Sequence, residues 1–272
     1  MPQGFSAPQG FYASKCIHVS LRILAISCAL SLSCALSSRP ALAEDYTAPL
    51  SQAAPAGDFS SMALIDGFMR TVFGLEHNSR NIRAHQVKKF QEPVRFFILD
   101  MSVSPRRQTV ERFVLDLPKS IDGLRTQVVD RMREANFRIY IVDRAAYAGV
   151  VQNWVYRNPN TPVRGKCLVR VQASERGIVY SDAVLVSDEG EHLFKRCLVE
   201  EILQGLGPMN DDHRLVHSVF NDSSNLRDFG RFDQYILNML YDGRVRAGMS
   251  EEQVSVLLPQ IVSDVRRRLN SN

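Results

Sequence analysis

Acidic side chains are absent from the first 43 residues, and Glu44 is the first to appear. That gap holds a weakly basic start (Lys15, His18, Arg22) and an apolar stretch from Leu21 to Leu36. The stretch is too short and too serine-rich to span a bilayer comfortably, the alternative being an uncleaved membrane anchor. Helix-breaking Ser37-Ser38-Arg39-Pro40 follows, then Ala41-Leu42-Ala43, the small-x-small pattern that a signal peptidase pocket admits. The expectation is a secretory signal peptide over residues 1–43, cut after Ala43, and a periplasmic or secreted mature chain. A lipoprotein would use Cys28 or Cys34, and neither follows a leucine-to-small lipobox, so simple cleavage is preferred. No later apolar run is long enough to cross a membrane, so no integral membrane segment is expected after cleavage.

Other scarcities narrow the chemistry. Neither a Gly-x-Ser-x-Gly elbow nor a Walker-type phosphate loop occurs, which removes serine-hydrolase and P-loop readings. Net charge is also scarce once the leader is gone. Taking Lys15, Arg22 and Arg39 from the 33 basic residues leaves 30 against 29 acidic ones. A nearly neutral chain has no electrostatic reason to bind nucleic acid or an anionic membrane. Of five cysteines only Cys167 and Cys197 lie beyond the leader. In an oxidising compartment they are expected to pair, the alternative being two separate buried thiols.

Residues 44–60 are rich in Ala, Pro, Ser and Gly without apolar period and read as a disordered leader. Residues 61–92 hold an amphipathic helix over Met62–Leu75, then a polar, basic linking loop or frayed helix. A main domain is expected over 93–242 and a helical extension over 243–272. Strands are expected at Val94–Leu99, Phe137–Val142, Cys167–Ala173 and Ile178–Val186. Helices are expected at Arg107–Leu117, Ile121–Ala135, Leu193–Leu206 and Phe232–Leu240, with Pro118 dividing the first two. Ser250 and Gln253 form a capping box that opens a last helix running towards Leu269. The fold class is α+β. Trp154, in Val151–Tyr156, is either a core anchor or the rim of a binding surface.

One segment carries a chemical pattern: Glu200-Glu201-Ile202-Leu203-Gln204-Gly205-Leu206-Gly207-Pro208-Met209-Asn210. It resembles the metzincin motif His-Glu-x-x-His-x-Leu-Gly-x-x-His of zinc peptidases at every position except the ligands. Histidines four apart share one helix face and so reach one metal, and the intervening Glu serves as general base. The resemblance implies a zincin-like mixed sheet with a long active-site-type helix. It puts Glu201 in the base position and Glu200, Gln204 and Asn210 in the ligand positions. Ser218-Val219-Phe220-Asn221 is similar to the turn beneath the metal, with Phe220 in place of methionine. The Cys-x-x-Glu-Glu-x-x-Gln-x-Leu-Gly stretch and the Leu-Tyr-Asp to Gly-Met-Ser tail also resemble an uncharacterised proteobacterial family of exported proteins.

Zinc prefers imidazole and thiolate, so a carboxylate and two amides suit at most weak calcium or magnesium binding, and no cofactor is expected. The same residues have an inert reading. Glu200 and Glu201 interact well with a helix dipole, Gln204 has Asn210 or backbone within reach, and Asn210-Asp211-Asp212 suits a solvated turn. Histidines offer little rescue: His192, His213 and His217 read as surface groups, with His217 nearest the turn. Two functions follow. One is a non-catalytic binding or scaffold protein that holds a peptide or envelope protein along Ile178–Val186 or its neighbour. The other is a metal-dependent hydrolase with Glu201 as base.

Overall fold

The computed structural model describes residues 59–73 and 85–271, all within one unit that spans Asp45–Asn272. The expected signal peptide, its cut at Ala41–Ala43 and most of the leader lie outside the described residues. In chain order the elements are α1 (Ser61–Val72), β1 (Val94–Asp100), α2 (Arg107–Ser120), β2 (Thr126–Val128) and β3 (Phe137–Val142). Then come α3 (Arg144–Val150), β4 (Cys167–Ser174), β5 (Gly177–Val186) and α4 (Glu191–Gly205). The chain closes with α5 (Arg231–Tyr241), α6 (Glu251–Ser255) and α7 (Leu258–Ser271). Among the described residues no helix is long and apolar enough to cross a membrane.

The five strands form one mixed sheet in the order β2-β1-β3-β5-β4. The first four run parallel, and β4 is antiparallel to β5, with Val169 opposite Ala183. Alternation along the strands divides the core in two. Phe96, Ile98, Ile139, Ile141, Ala183 and Leu185 face α2 and α4 in the main cluster. Tyr140, Val142, Val184 and Val186 face the other way, under α3 and the π-helix Val151–Tyr156 that continues it. Helices α1, α5 and α7 pack together on the main cluster, and Gly67 permits their closeness: a Cβ there would lie 2.5 Å from the Phe232 ring.

Three expectations are corrected. Ile121–Ala135 is not a helix; it contains β2 and a short 3-10 turn at Met132–Glu134. Its i, i+4 stripe of Leu124, Val128 and Met132 loses to backbone partners across the sheet. Arg125 O accepts from Val94 N (2.8 Å), Phe96 O accepts from Val129 N (2.8 Å), and Gly123 sits at φ +80°. Pro118 does not end α2 but lies in its last turn. The single last helix is two, α6 and α7, with the expected capping box at Ser250 opening the first. Pro259 falls in the first turn of α7, where its absent N–H is not needed.

The basic segment before β1 is not a solvated linker where it is described. Lys88 and Lys89 are both buried. The Lys89 ammonium donates to Leu240 O (2.8 Å), Val245 O (2.7 Å) and Asp242 O (3.3 Å), satisfying carbonyls at the end of α5 and in the turn after it. Burial pulls its pKa down to about 8, with Asp242 resisting. Trp154 is 43% exposed, set edge-on against Tyr140 at 5.7 Å, so it anchors and borders the surface at once. Finally, β5 is an interior strand, paired on both sides, and has no free edge for a peptide; the outer edge belongs to its neighbour β4.

Candidate functional site

Helix α4 begins at Gly190, whose φ of +98° turns the chain out of β5, and from Cys197 onward all its residues are buried. One side packs into the core through Phe194, Leu198, Ile202 and Leu203. The other side carries the polar pattern. A disulfide joins Cys197 to Cys167 at the start of β4, fastening the helix to the edge strand. Gly207 ends the helix at φ +144°, a conformation and a spacing that exclude a side chain: a Cβ would lie 2.3 Å from Lys88 O.

Past that bend the ligand positions of the motif separate. Asn210 turns towards α1: its Nδ2 donates to Arg70 O (2.8 Å) and its amide to Thr71 O (3.2 Å). It therefore closes the C-terminal end of α1, and the expectation that it joins Glu200 and Gln204 is corrected. Asp211 faces them instead. Gln204 Nε2 donates to both Asp211 oxygens at 2.9 Å, so Asp211, not Asn210, is its partner. Asp212 is buried rather than solvated, held by Arg70 and Arg214, and the Arg214 contact keeps its carboxyl well below the usual range.

Glu200, Glu201 and Gln204 are only 6%, 6% and 7% exposed. Glu200 meets Arg196 one turn back, with Nε to Oε2 at 3.1 Å and Nη2 to Oε1 at 3.4 Å. The same guanidinium donates to Ser224 O (2.5 Å), Leu226 O (3.3 Å) and Asn221 O (3.3 Å), and lies 3.8 Å from Asp222. Its planar fork joins a helix to a loop through several acceptors at once. Carboxylate oxygens of Glu200, Asp211 and Asp222 lie within 4.8 Å of one another. Burial raises the Glu200 pKa to about 8, against the pull of Arg196, and Asp211 and Asp222 add to the rise. Glu201 adds to the upward pressure on the Tyr147 phenol, for which burial is the main cause.

The 218–221 turn is fastened from below. Asp233 of α5 accepts from Ser218 Oγ (2.6 Å) and from the Val219 amide (3.2 Å), and Asn221 Nδ2 donates to His213 O (3.2 Å) and Leu215 O (3.3 Å). Burial lifts the Asp233 carboxyl to about 7 despite these donors. Phe220 is fully buried. The chain belongs to the DUF2927 family. That family is described as proteins of unknown function, and its model matches residues 61–260. No curated protein matches the chain. The DUF2927 match runs from the start of α1 into α7, so it takes in both sides of the site and the helices that brace it.

Zinc does not suit this cluster of the DUF2927 domain. Among the described residues no imidazole or thiolate joins the carboxylates: Cys197 is in the disulfide, and His217 lies exposed against the Phe59 ring at 5.4 Å. Oxygen donors alone suit a hard cation, but a guanidinium already occupies the side of the cluster formed by Glu200 and Asp222. Arg196, Asp211 and Asp222 are the participants that sequence reasoning missed. Arg196-x-x-x-Glu200 was readable as an i, i+4 pair, whereas nothing local tells Asp211 from Asn210 or brings Asp222 across.

Proposed function

We propose that this protein is a non-catalytic binding protein of the cell envelope, exported with cleavage after Ala43. Its zincin-like domain uses a guanidinium where a metallopeptidase uses a metal. The observation that carries this reading is Arg196, which pairs with Glu200 on α4 and joins that helix to the 221–226 loop through three carbonyls. A metal does that work in a peptidase, and here the work is done by a side chain that no substrate displaces. The burial of Glu201 and Gln204 supports the same reading, because a general base has to meet water and substrate. Sheet order and the antiparallel edge strand beside the helix support the zincin likeness. The ligand of this reading is an extended peptide or a strand of an envelope protein, added along the outer edge of β4.

The test is the metal content of the purified protein, prepared without chelator or histidine tag and then exposed to zinc, calcium and magnesium. The expected result is no stoichiometric metal. A stoichiometric ion that disappears in Glu200→Ala and Asp211→Ala would overturn the reading. It would favour the second one, a metal-dependent hydrolase with Glu201 as base, for which the proximity of the Glu200, Asp211 and Asp222 carboxylates is the supporting observation.

A further inference from the structure

Four chain segments line an open cavity of about 940 Å³ that shares no lining residue with the α4 site. They are the stretch from Gln86 to Glu92, the start of β1 with Asn136, the β4–β5 turn, and residues 246–253. Its rim carries three guanidinium groups, from Arg95, Arg176 and Arg246, and two carboxylates, from Glu92 and Glu175. Arg95 spends its Nε on Glu134 O (2.6 Å), whereas the guanidinium groups of Arg176 and Arg246 and both carboxylates have no partner among the described residues. The floor is apolar, made by Phe90, Ile178, Ala247 and Met249.

The rim is built rather than draped. Val87 exchanges backbone hydrogen bonds with Met249 O (2.9 Å) and Gly248 N (2.9 Å), and Ile178 N donates to Lys89 O (3.0 Å). Gly177, at φ +106°, would place a Cβ 2.4 Å from Lys89 O, and Gly248, at φ +82°, would place one 2.9 Å from Glu175 O. These close approaches hold the turn and the 246–249 segment against one another before any ligand arrives, which limits the ordering cost of binding.

We infer that this cavity binds a short unblocked peptide. A purely anionic ligand meets repulsion from Glu92 and Glu175, and a purely cationic one meets three arginines. A molecule with a carboxylate at one end, an ammonium at the other and an apolar body satisfies both signs. Arg176 and Arg246 take the terminal carboxylate, for which a guanidinium fork is well shaped. Glu92 and Glu175 take the terminal amine, and side chains rest on Phe90 and Ile178. The volume lies at the upper end of the roughly 300–1,000 Å³ usual for small-ligand sites. This inference does not rest on peptide addition to β4.

The experiment is an amide NMR titration of the protein with a randomised, unblocked tetrapeptide mixture, repeated with the same mixture acetylated and amidated at its ends. Saturable shifts are expected at Gly177, Gly248 and Met249, with blocked peptides about tenfold weaker or worse through loss of charge-assisted hydrogen bonds. An Arg176→Gln/Arg246→Gln double variant is expected to lose that preference for free ends while keeping the parent melting temperature. Absence of shifts at these amides, equal shifts with blocked peptide, or equal shifts with sodium acetate alone would each overturn the inference. Shifts confined to Leu168–Ala173 would overturn it while supporting the β4 reading, and shifts confined to the cavity would do the reverse.

Discussion

Two gatherings of polar side chains, one around α4 and one around the cavity between Gln86 and Gln253, differ in what they are bonded to. In the first, Arg196 is shared among Glu200 and the carbonyls of Asn221, Ser224 and Leu226, and Gln204 is spent on Asp211. In the second, Arg176 and Arg246 stand beside open volume with no carboxylate bound to them among the described residues. A satisfied buried network rigidifies the fold and resists exchange for a ligand, because every partner it gives up is costly to leave bare. Unpaired charges around a preformed cavity carry no such penalty. On the proposed reading, the motif that stands out in the sequence is the structural region and the unremarked rim is the one that binds.

The largest expected effect comes from breaking the closed network. Arg196→Ala leaves a buried carboxyl and three carbonyls without their donor, and a loss of about 3–5 kcal/mol is expected in urea unfolding. A loss under 1 kcal/mol would mean that the network is not what holds α4 to the loop. Next is the disulfide between Cys167 and Cys197, 30 residues apart. Reduction, or a double change to serine, is expected to cost about 3 kcal/mol by freeing the unfolded chain, read as a lowered melting temperature with and without reductant.

A smaller effect, tied to pH, separates burial from pairing. Glu200 is raised from 4.5 to about 8 and Asp233 from 3.8 to about 7. The native state then keeps protons that the unfolded chain has lost, so their contribution is fully present below about pH 4 and disappears as pH rises to about 8. Glu200→Gln is expected to flatten that fall, with the variant gaining on the parent by on the order of 1–3 kcal/mol at pH 8 and losing the advantage near pH 4. Parallel stability profiles for the two proteins would show that the Glu200 pKa is the same in the folded and unfolded states. The smallest effect belongs to the open region: Arg176→Gln is expected to change stability by less than about 0.5 kcal/mol. A larger loss there would make the rim a structural element and erase the contrast.

Much of the fold was legible in the sequence. The apolar runs at 94–99, 137–142 and 178–186 and the helical periods at 107–117, 193–206 and 232–240 are strong local signals, and the observed elements meet them within three residues at each end. The 121–135 segment was not legible, because its stripe is compatible with a helix until Val94 and Phe96 present backbone partners. Nor was the helix at Arg144–Val150 or the π-turn after it, where alanines and a lone tryptophan give no clear period. Around α4, the motif pointed to Glu200, Glu201, Gln204 and Asn210, and the side chain of Asn210 bonds to α1 instead.

By itself the sequence determined the α+β class, the order of the main elements, the polar pattern on α4 and the pairing expected of Cys167 and Cys197. These rest on hydrophobic period, capping chemistry and residue type, which act over a few positions. Only the tertiary structure decided that Arg196 binds across to the 221–226 loop, that Asp211 replaces Asn210 beside Gln204, and that β4 rather than β5 has the free edge. It alone brought Arg95, Arg176 and Arg246 to one cavity. The physical reason is that partner choice is settled by which acceptors and which volumes the packed elements leave open, and no local pattern records that.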